Sequence, residues 1–359
     1  MEHNIAAMAT WTRARDVLLA PHGKTTMCAP LFRRQLEAGA WGMTAADTRG
    51  AALASDAGAP VVLIANELAN PGDYDWVAGA REGGTRVLFC VDSVAALDAA
   101  ESAHRRLGGP AFEVLLEVGY EGGRCGVRDR ADAVRLADAM SASAGVELAG
   151  VEAFEGLLPD VEDVDTFLEH IGDVAEAVAP QFASDAPLLT CGGSSFFDRV
   201  VSLLGPRAKA SGLTIVLRSG CYVTHDHGIY AERAPAARDV HDAPRFMSAI
   251  TVRTSVLSRP ETTRAIVNAG RRHLSYDAGL PIALHVERNG AILIDEPAPV
   301  VVQLNDQHAH LEIAPDASLQ VGDVVVLGIS HPCTAIDRWR VIPLIGDAGA
   351  VIEALPTSF

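Results

Sequence analysis

The chain has 359 residues, a formal net charge of −17 at pH 7 and a hydrophobic content of 49%. A chain of this length can bury a large core, which predicts one large α/β domain or two smaller ones. The acidic charge argues against nucleic acid and anionic membrane as partners, and the sequence has no apolar run of membrane-spanning length. The chain has no secretory leader, and its six cysteines lack CxxC spacing, so we expect a soluble, cytoplasmic protein with reduced thiols.

Short apolar runs alternate with amphipathic segments over the first two-thirds of the chain. The predicted strands are 17–20, 41–45, 61–65, 86–91, 112–118, 148–154, 187–190 and 213–217, and the predicted helices include 32–38, 94–107, 131–143, 163–179 and 196–204. Continuous apolar strands separated by helices indicate a parallel sheet that is covered on its outside. Eight such units predict an α/β fold with a (β/α)8 barrel over residues 1–244, and a doubly wound open sheet is the alternative.

From about residue 245 the pattern changes to short β elements without long helices. Predicted strands lie around 252, 257, 266–267, 291–294, 300–304, 311–313, 324–327 and 341–344. Turn signals such as Asn289-Gly290 separate them. The sequence therefore predicts a second, smaller C-terminal β domain over residues 245–359.

The polar residues of the first domain follow the predicted strands, at the face where barrel enzymes carry their chemistry. The first strand runs into residues 21–26, which read PHGKTT. A lysine at such a strand end can stay partly desolvated, lose its proton and attack a carbonyl carbon to form a Schiff base. Lys24 and the neighbouring His22 are therefore candidate catalytic residues, although a Lys-Thr-Thr tripeptide is more often plain solvated surface.

Glycine-rich loops follow the seventh and eighth predicted strands, at residues 191–195 (CGGSS) and 218–222 (RSGCY). Glycines let backbone N–H groups approach an anion, and a following helix N-terminus favours negative charge. Loops at these two positions often bind phosphate in such barrels. A phosphate site and a reactive lysine together suggest pyridoxal phosphate, whose phenolic oxygen Arg124 can contact. The alternatives are glycines that only form tight turns and an arginine that only lies on the surface.

A possible metal site lies in the second domain, where residues 330–334 read SHPCT. An imidazole and a thiolate two residues apart suit zinc, and two local ligands leave open positions, as in catalytic sites. The alternative is a satisfied loop histidine beside a small buried cysteine. The histidine clusters at 224–227 and 307–310 can be read as metal sites or as structural groups.

Eight ordered motifs indicate a family resemblance that runs from about residue 4 to the C-terminus. They are PHGKTT, EVGYEGGRCG, GVEAFEG, CGGSSFFD, LRSGCYVTHDHGIY, SYDAGLP, LNDQHAHL and GISHPCTAIDRWR. In this order they resemble the D-serine dehydratase and D-threonine aldolase family, pyridoxal-phosphate enzymes of the alanine-racemase fold type. The closest likeness is to the bacterial amino acid deaminase, or D-serine deaminase-like, branch.

The resemblance implies a role for each matching residue. Lys24 would form the Schiff base with the cofactor and take the Cα proton of a D-amino acid. The phosphate would be held by Gly192, Gly193, Ser194, Gly220 and Cys221, with Arg124 at the ring oxygen and Tyr222 beside the cofactor. His331 and Cys333 would bind a divalent metal that grips the substrate's β-hydroxyl, zinc by preference, with Mn2+ or Mg2+ as alternatives. Members of this fold type are typically homodimers.

Two reactions remain open within this resemblance. A dehydratase eliminates the β-hydroxyl and releases a 2-oxo acid and ammonia, whereas an aldolase cleaves the Cα–Cβ bond to glycine and an aldehyde. The family's aldolases tend to carry His-x-Asp and its dehydratases His-x-Cys, so His331-Pro332-Cys333 favours elimination. An amino-acid racemase is less favoured, because Tyr276 is the only tyrosine available there as a second base. A non-catalytic pyridoxal-phosphate carrier would not need residues 245–359.

The N-terminus departs from the family pattern. Members usually have a few tens of residues before the lysine, including a strand that joins the C-terminal β domain, whereas this sequence reaches Lys24 almost at once. We therefore expect either a start that lies upstream or an exposed sheet edge in the β domain.

Overall fold

A computed structural model describes residues 1–293, 297–346 and 349–359. The chain divides into two compact units. The barrel unit contains residues 5–220 and 239–244, and the β unit contains residues 1–4, 221–238 and 245–359. The predicted domain division after residue 244 stays a prediction. Within the described part of the chain, no helix combines the length and apolar character that crossing a membrane requires.

The barrel unit is built on eight parallel strands. They are β1 (Leu18–Leu19), β2 (Met43–Ala45), β3 (Val61–Glu67), β4 (Arg86–Val91), β5 (Phe112–Val118), β6 (Val146–Ala153), β7 (Leu188–Cys191) and β8 (Thr214–Leu217). Their order in the sheet is β1-β8-β7-β6-β5-β4-β3-β2. Backbone hydrogen bonds from Trp41 N to Leu19 O (2.8 Å) and from Thr44 N to Pro21 O (2.9 Å) join β1 to the β2 side. The (β/α)8 barrel is therefore confirmed, and the open sheet was the wrong alternative.

One helix precedes β1, and the others follow strands. They are α1 (Glu2–Arg13), α2 (Ala29–Glu37), α3 (Thr48–Asp56), α4 (Pro71–Glu82), α5 (Val94–Leu107), α6 (Arg130–Ala142), α7 (Val161–Ala177) and α8 (Phe197–Ala210). Asp47, Ser93, Asp129 and Asp160 cap α3, α5, α6 and α7 by accepting from a backbone N–H three residues on. The helix α8 continues six residues past its predicted end at 204, across Pro206, because Leu204 and Ala208 on either side are buried.

The interior of the barrel is filled by small and branched side chains from alternate positions of the strands. One buried cluster contains Ala20, Val61, Leu63, Leu88, Leu115, Ala149, Leu188 and Val216. Such a barrel is a packed core with no room for a ligand. A functional site in this unit must therefore lie at the strand ends.

The β unit contains short antiparallel strands. They are β9 (Thr251–Glu261), β10 (Arg264–Val267), β11 (Ile282–Arg288), β12 (Ala291–Ile292), β13 (Val300–Leu304), β14 (Ala309–Glu312), β15 (Val324–Gly328), β16 (Val341–Ile345) and β17 (Val351–Pro356). Seven form a sheet in the order β12-β11-β15-β9-β10-β14-β13, and β16 pairs with β17. The short helices α9 (Ile229–Arg233) and α10 (Cys333–Ile336) also belong to this unit. The separate antiparallel β domain is therefore confirmed.

Two strands of this unit were not anticipated, and one prediction reaches past the described residues. In β11, the sequence signal is weak because Glu287 lies on the buried side and is held there by Arg253, with Nη1 2.7 Å from Oε1. The hairpin partner β17 was also missed. The predicted strand 291–294 overlaps β12, and its residue 294 lies outside the described residues.

Candidate active site

The end of β1 presents Lys24 in a tight turn. A short 3-10 turn, Gly23–Thr25, follows the strand, and His22 caps it by accepting a hydrogen bond from the Lys24 backbone N–H at Nδ1 (3.4 Å). The Lys24 side chain is exposed at the C-terminal face of the barrel. The chain has only one other lysine, Lys209, which is exposed in the last turn of α8.

Arg124 lies close to Lys24, because both side chains contact one aromatic ring. The Lys24 Nζ is 6.0 Å from the centroid of the Phe154 ring, and the guanidinium carbon of Arg124 is 4.9 Å from it. Phe154 follows β6 directly, whereas Arg124 is in the loop after β5. The structure thus brings together two predicted site residues that are 100 positions apart in the sequence.

The loop that carries Arg124 is held by a second arginine, which the sequence reasoning did not single out. Arg128 donates hydrogen bonds to the backbone carbonyls of Arg124 (2.5 Å), Cys125 (2.6 Å) and Gly126 (2.7 Å). Asp92, directly after β4, accepts from the Gly126 N–H at 3.0 Å. These contacts fix the loop from both sides and orient the arginine that it presents.

His22 is neutral in this environment. Burial lowers its pKa well below the usual value, and the positive charges of Lys24, Arg218 and Arg124 lower it further. Because its Nδ1 accepts from a backbone N–H, the proton of the neutral ring resides on Nε2. The backbone of His22 also lies against Gly220, where a Cβ atom would meet the His22 carbonyl oxygen at 2.3 Å.

The backbone N–H groups of the glycines after β7 bind a carboxylate of the chain itself. Buried Glu155 accepts hydrogen bonds from the backbone N–H groups of Gly192 (3.0 Å) and Gly193 (2.7 Å). Gly192 has a φ of +91°, and a Cβ there would meet a Leu217 methyl at 2.6 Å. The predicted anion cradle therefore has the right donors, and in this structure the carboxylate of the chain itself engages two of them.

The loops after β7 and β8 lie against each other. The Ser219 hydroxyl donates to the Gly192 carbonyl at 2.9 Å. Ser194 and Ser195 are buried in the loop that leads into the N-terminus of α8. Glycines without room for a Cβ, two hydroxyls and a helix N-terminus fit a phosphate group, and with Lys24 and Arg124 they fit pyridoxal phosphate.

A cluster of buried charge beneath this face was missed by sequence reasoning. Arg218 and Glu152 form an ion pair in which each side chain is at most 5% exposed. Burial raises the pKa of nearby Glu117 to about 9, and the carboxylates of Glu152 and Glu67 raise it as well. Glu117 is therefore protonated at neutral pH. The available signal was a charged residue inside an otherwise apolar strand.

Two predicted cofactor residues, Cys221 and Tyr222, belong to the β unit, where they form the 3-10 turn Cys221–Val223. Both are buried, and the Tyr222 ring lies 5.6 Å from that of Phe246, centroid to centroid. The Sγ of Cys221 is 3.4 Å from the Sγ of Cys333. Cys221 is thus a direct neighbour of a predicted metal ligand.

The predicted metal ligands have a defined geometry in the β unit. His331 Nδ1 and Asp277 Oδ2 are 2.7 Å apart, and the Thr334 hydroxyl donates to the other carboxylate oxygen at 2.5 Å. The His331 side chain is also hydrogen bonded to Cys333. Burial lowers the pKa of His331, but Cys333 and Asp277 outweigh it and raise this pKa to about 9. One imidazole nitrogen and one thiolate are a donor set that fits zinc.

The other histidine clusters have structural contacts. Asp226 accepts from the backbone N–H groups of Gly228, Tyr230 and Ala231 at 3.0–3.1 Å, which holds the start of α9. His310 is 2.7 Å from the Asn305 amide oxygen. Among the described residues, the groups of three or more donor side chains close enough for one ion are Glu67, Asp92 and Cys125, and Cys90, Glu117 and Glu152.

Sequence comparison finds known proteins that resemble most of this chain. Residues 249–345 match the family model described as "Putative serine dehydratase domain". The D-threonine aldolase of Arthrobacter sp. is 29% identical over 336 residues, which cover 92% of this chain and 82% of that protein. The D-threo-3-hydroxyaspartate dehydratase of Delftia sp. strain HT23 is 32% identical over 288 residues, which cover 78% of this chain and 71% of that enzyme.

Solved structures show the same fold. The D-threonine aldolase of Filomicrobium marinum superposes with a TM-score of 0.82 at 27% identity, covering 99% of this chain and 92% of that one. A metal-free cysteine-to-alanine variant of the Delftia dehydratase superposes with a TM-score of 0.76 at 23% identity, covering 100% of this chain and 94% of that one. The chain thus belongs to the D-serine dehydratase and D-threonine aldolase family of pyridoxal-phosphate enzymes.

Proposed function

We propose that this protein is a lyase that acts on D-3-hydroxy amino acids and uses pyridoxal phosphate and a divalent cation, zinc by preference. The favoured reaction is elimination, which converts the substrate to a 2-oxo acid and ammonia. The observation that carries the proposal is Lys24, one of two lysines in the chain, placed at the end of β1 with Arg124 across the Phe154 ring. Membership in a family whose curated relatives are aldolases and dehydratases of D-hydroxy amino acids supports it.

We assign the following groups to the cofactor. Ser194, the N-terminus of α8 and the backbone at Gly220 would donate to the phosphate, together with the backbone at Gly192, Gly193 and Cys221. Arg124 would donate to the ring oxygen, and Tyr222 would lie beside the cofactor. When bound, pyridoxal phosphate supplies an electron sink for negative charge at Cα, and the divalent cation supplies a Lewis acid for the departing hydroxyl.

Lys24 is the proton acceptor in this proposal. Its Nζ would hold the cofactor through its carbonyl carbon and would take the Cα proton of the substrate. His22 orients the turn by accepting from the Lys24 backbone N–H, and as a neutral ring it adds no positive charge beside the amine.

The β unit supplies the metal ligands His331 and Cys333. Asp277 holds Nδ1 of His331, so Nε2 is the nitrogen available to an ion. The thiolate donor distinguishes this pair from the His-x-Asp pair of aldolases and favours elimination. In the Delftia dehydratase, structures have been solved of a histidine variant and of a cysteine variant two positions away, and the cysteine variant is described as metal-free. That spacing equals the spacing of His331 and Cys333.

A second candidate reaction is retro-aldol cleavage to glycine and an aldehyde. The relatives named D-threonine aldolase support it, since they match as much of the chain as the dehydratase does. This reaction would use Lys24, Arg124 and the same two metal ligands.

We also propose a homodimer, in line with the fold type, which light scattering on the purified protein can test.

Product analysis decides between these reactions. The purified protein, loaded with pyridoxal phosphate and zinc, is incubated with D-serine and with D-threonine. Pyruvate or 2-oxobutyrate with ammonia is the expected result, and glycine with acetaldehyde from D-threonine would establish the aldolase instead. A chelator should abolish turnover and zinc should restore it. Racemisation that persists in the chelator would contradict the proposal, because a racemase of this fold has no use for a metal.

A further inference from the structure

Two thiols of the β unit lie in contact, although they are 112 positions apart in the sequence. The Sγ atoms of Cys221 and Cys333 are 3.4 Å apart. A disulfide bond is about 2.05 Å long, so the two sulfurs are reduced but need to approach by little more than 1 Å to bond. The remaining cysteines are at positions 28, 90, 125 and 191.

Backbone contacts close to the two thiols hold the segments that carry them together. The segments that carry the thiols are joined by hydrogen bonds from His227 N to Ile329 O (3.0 Å) and from Ile229 N to Ser330 O (3.1 Å). Gly228 lies so close to Ser330 that a Cβ would meet the Ser330 Cα at 2.7 Å. The two cysteines are therefore held as neighbours wherever this part of the unit is folded.

The two thiols differ in access. Cys221 is 5% exposed and hydrogen bonded to the hydroxyl of Tyr230, whereas Cys333 is only half-buried at the start of α10. A small oxidant therefore reaches Cys333 first. A buried thiol in contact with an oxidised one is the arrangement in which a resolving cysteine acts.

We propose that Cys221 and Cys333 form an oxidative modification site whose reactant is hydrogen peroxide. The Cys333 sulfur attacks one peroxide oxygen, the O–O bond breaks, and water leaves with the thiol proton, which gives a sulfenic acid. The Cys221 sulfur then attacks the oxidised sulfur, the S–O bond breaks, and a second water leaves as the disulfide forms. Two thiols and one peroxide thus become one disulfide and two waters.

The modification competes with metal binding, and this part rests on the proposed function. A sulfur in a disulfide is no longer a thiolate, and the thiolate is the form that binds a metal. Oxidation therefore removes one of the two proposed protein ligands, and a bound cation in turn shields Cys333. A peroxide-sensitive enzyme that is protected by its own metal is the expected behaviour.

Peptide mapping by mass spectrometry tests the site directly. The full chain, purified with pyridoxal phosphate and stripped of metal by a chelator, is treated with an equivalent of hydrogen peroxide and digested without reductant. We expect a cross-linked peptide joining residues 221 and 333 that dithiothreitol separates. The variant Cys221→Ser should lose the cross-link and leave a sulfenic acid at Cys333 that dimedone labels. The variant Cys125→Ser, which removes another half-buried thiol, should keep the cross-link.

Zinc separates this proposal from the proposed function. At a zinc concentration 100 times its Kd, about 1% of the sites are metal-free, so cross-linking should slow about 100-fold. A cross-link that zinc does not slow supports the modification site and contradicts Cys333 as a metal ligand. Dimedone labelling of Cys333 in the unsubstituted chain without a 221–333 cross-link would overturn the proposal, whatever the protein's reaction products are.

Discussion

Lys24 and its surroundings show how single residues prepare this site. The turn Gly23–Thr25 presents the Lys24 side chain at the end of β1. The lowered pKa of His22 keeps that histidine uncharged beside Lys24. Arg124 is brought to the same aromatic ring by a loop that Arg128 clamps. An amine and an arginine in one place are groups that can hold a carbonyl cofactor.

Replacing Lys24 by alanine should abolish both turnover and the visible absorbance near ~420 nm that an enzyme-linked pyridoxal phosphate gives. Absorbance of the purified protein after addition of the cofactor measures this. The matched control is Lys209→Ala, because Lys209 is the only other lysine and lies exposed on α8. Borohydride reduction should attach the cofactor to Lys24 in the control. Attachment to Lys209 in the unsubstituted protein would contradict the assignment.

Glu117 should make the protein less stable as pH rises. Its pKa is about 9 in the folded chain, far above its ordinary value, so between these values the native state binds a proton that the unfolded chain has lost. The stabilisation is complete below the unfolded pKa and disappears as pH approaches 9. In Glu117→Gln, the free energy of unfolding should fall less steeply from pH 5.5 to 8.5, by roughly one proton. Urea titrations at the two pH values measure how much the free energy of unfolding changes with pH in each protein. An equal change in the variant and the unsubstituted protein would contradict the prediction.

Asp277 should increase the affinity of the metal site for zinc, although it is not itself a proposed ligand. Its carboxylate holds Nδ1 of His331 and is itself held by Thr334. Outer carboxylates of this kind typically contribute about 10- to 100-fold to metal affinity. Asp277→Asn should therefore weaken zinc binding by about that factor, measured by competition with a chromophoric chelator. Asp316→Asn, at an exposed position of the same unit, should leave the affinity unchanged.

Elements meet closely at the C-terminal face of the barrel. The loop after β8 lies against the turn after β1 at Gly220, and the loop after β7 hydrogen bonds to it through Ser219. Away from that face, β6 meets the start of β7 at Gly150, where a Cβ would lie 2.1 Å from the Leu188 carbonyl oxygen. These approaches need glycine because backbone atoms, unlike side-chain tips, cannot move aside cheaply.

Gly220→Ala should disturb the fold and the cofactor site together. The added methyl would meet the His22 carbonyl at 2.3 Å, so the two loops must separate. A loss of about 1–3 kcal/mol in the free energy of unfolding is expected, with weaker cofactor binding. The control Gly205→Ala places a methyl in open space inside α8 and should be neutral or stabilising by up to about 1 kcal/mol. Equal stability of the two variants in urea titrations would contradict the argument.

At the scale of the whole molecule, the chain forms two units with separate cores. The barrel core is formed by buried side chains of the parallel strands. The β unit has its own buried cluster, which includes Val256, Leu274, Val286, Leu311 and Leu327. The proposed cofactor lysine is in the barrel unit and the proposed metal ligands are in the β unit. We therefore expect each ligand to stabilise the unit that carries its proposed residues.

Ligand-dependent melting should separate these two effects. A ligand at 100 times its Kd adds about 2.7 kcal/mol to the stability of the state that binds it. Pyridoxal phosphate should raise the melting temperature of the unsubstituted protein but not of Lys24→Ala. Zinc should raise it in the unsubstituted protein but not in Cys333→Ala. A zinc shift that survives in Cys333→Ala would remove this thiol from the metal site.

The sequence by itself determined the architecture, because the signals involved are local. Apolar runs at regular intervals predicted the eight barrel strands, and the change of period near residue 245 predicted the β domain. Ordered motifs also predicted the family and identified candidate site residues, namely Lys24, Arg124, His331 and Cys333. The strands β11 and β17 were missed, and each is defined by partners elsewhere in the chain. Arg253 holds Glu287 of β11, and β17 pairs with β16, which no local pattern reveals.

Only the tertiary structure decided which distant groups meet. It placed Glu155 on the N–H groups of Gly192 and Gly193, Asp277 on His331, and Cys221 against Cys333. These contacts join residues 37 to 112 positions apart, and each depends on how strands and loops pack in three dimensions. A sequence lists donors and acceptors, whereas hydrogen bonds and thiol contacts depend on distances of a few ångströms that only the folded chain sets.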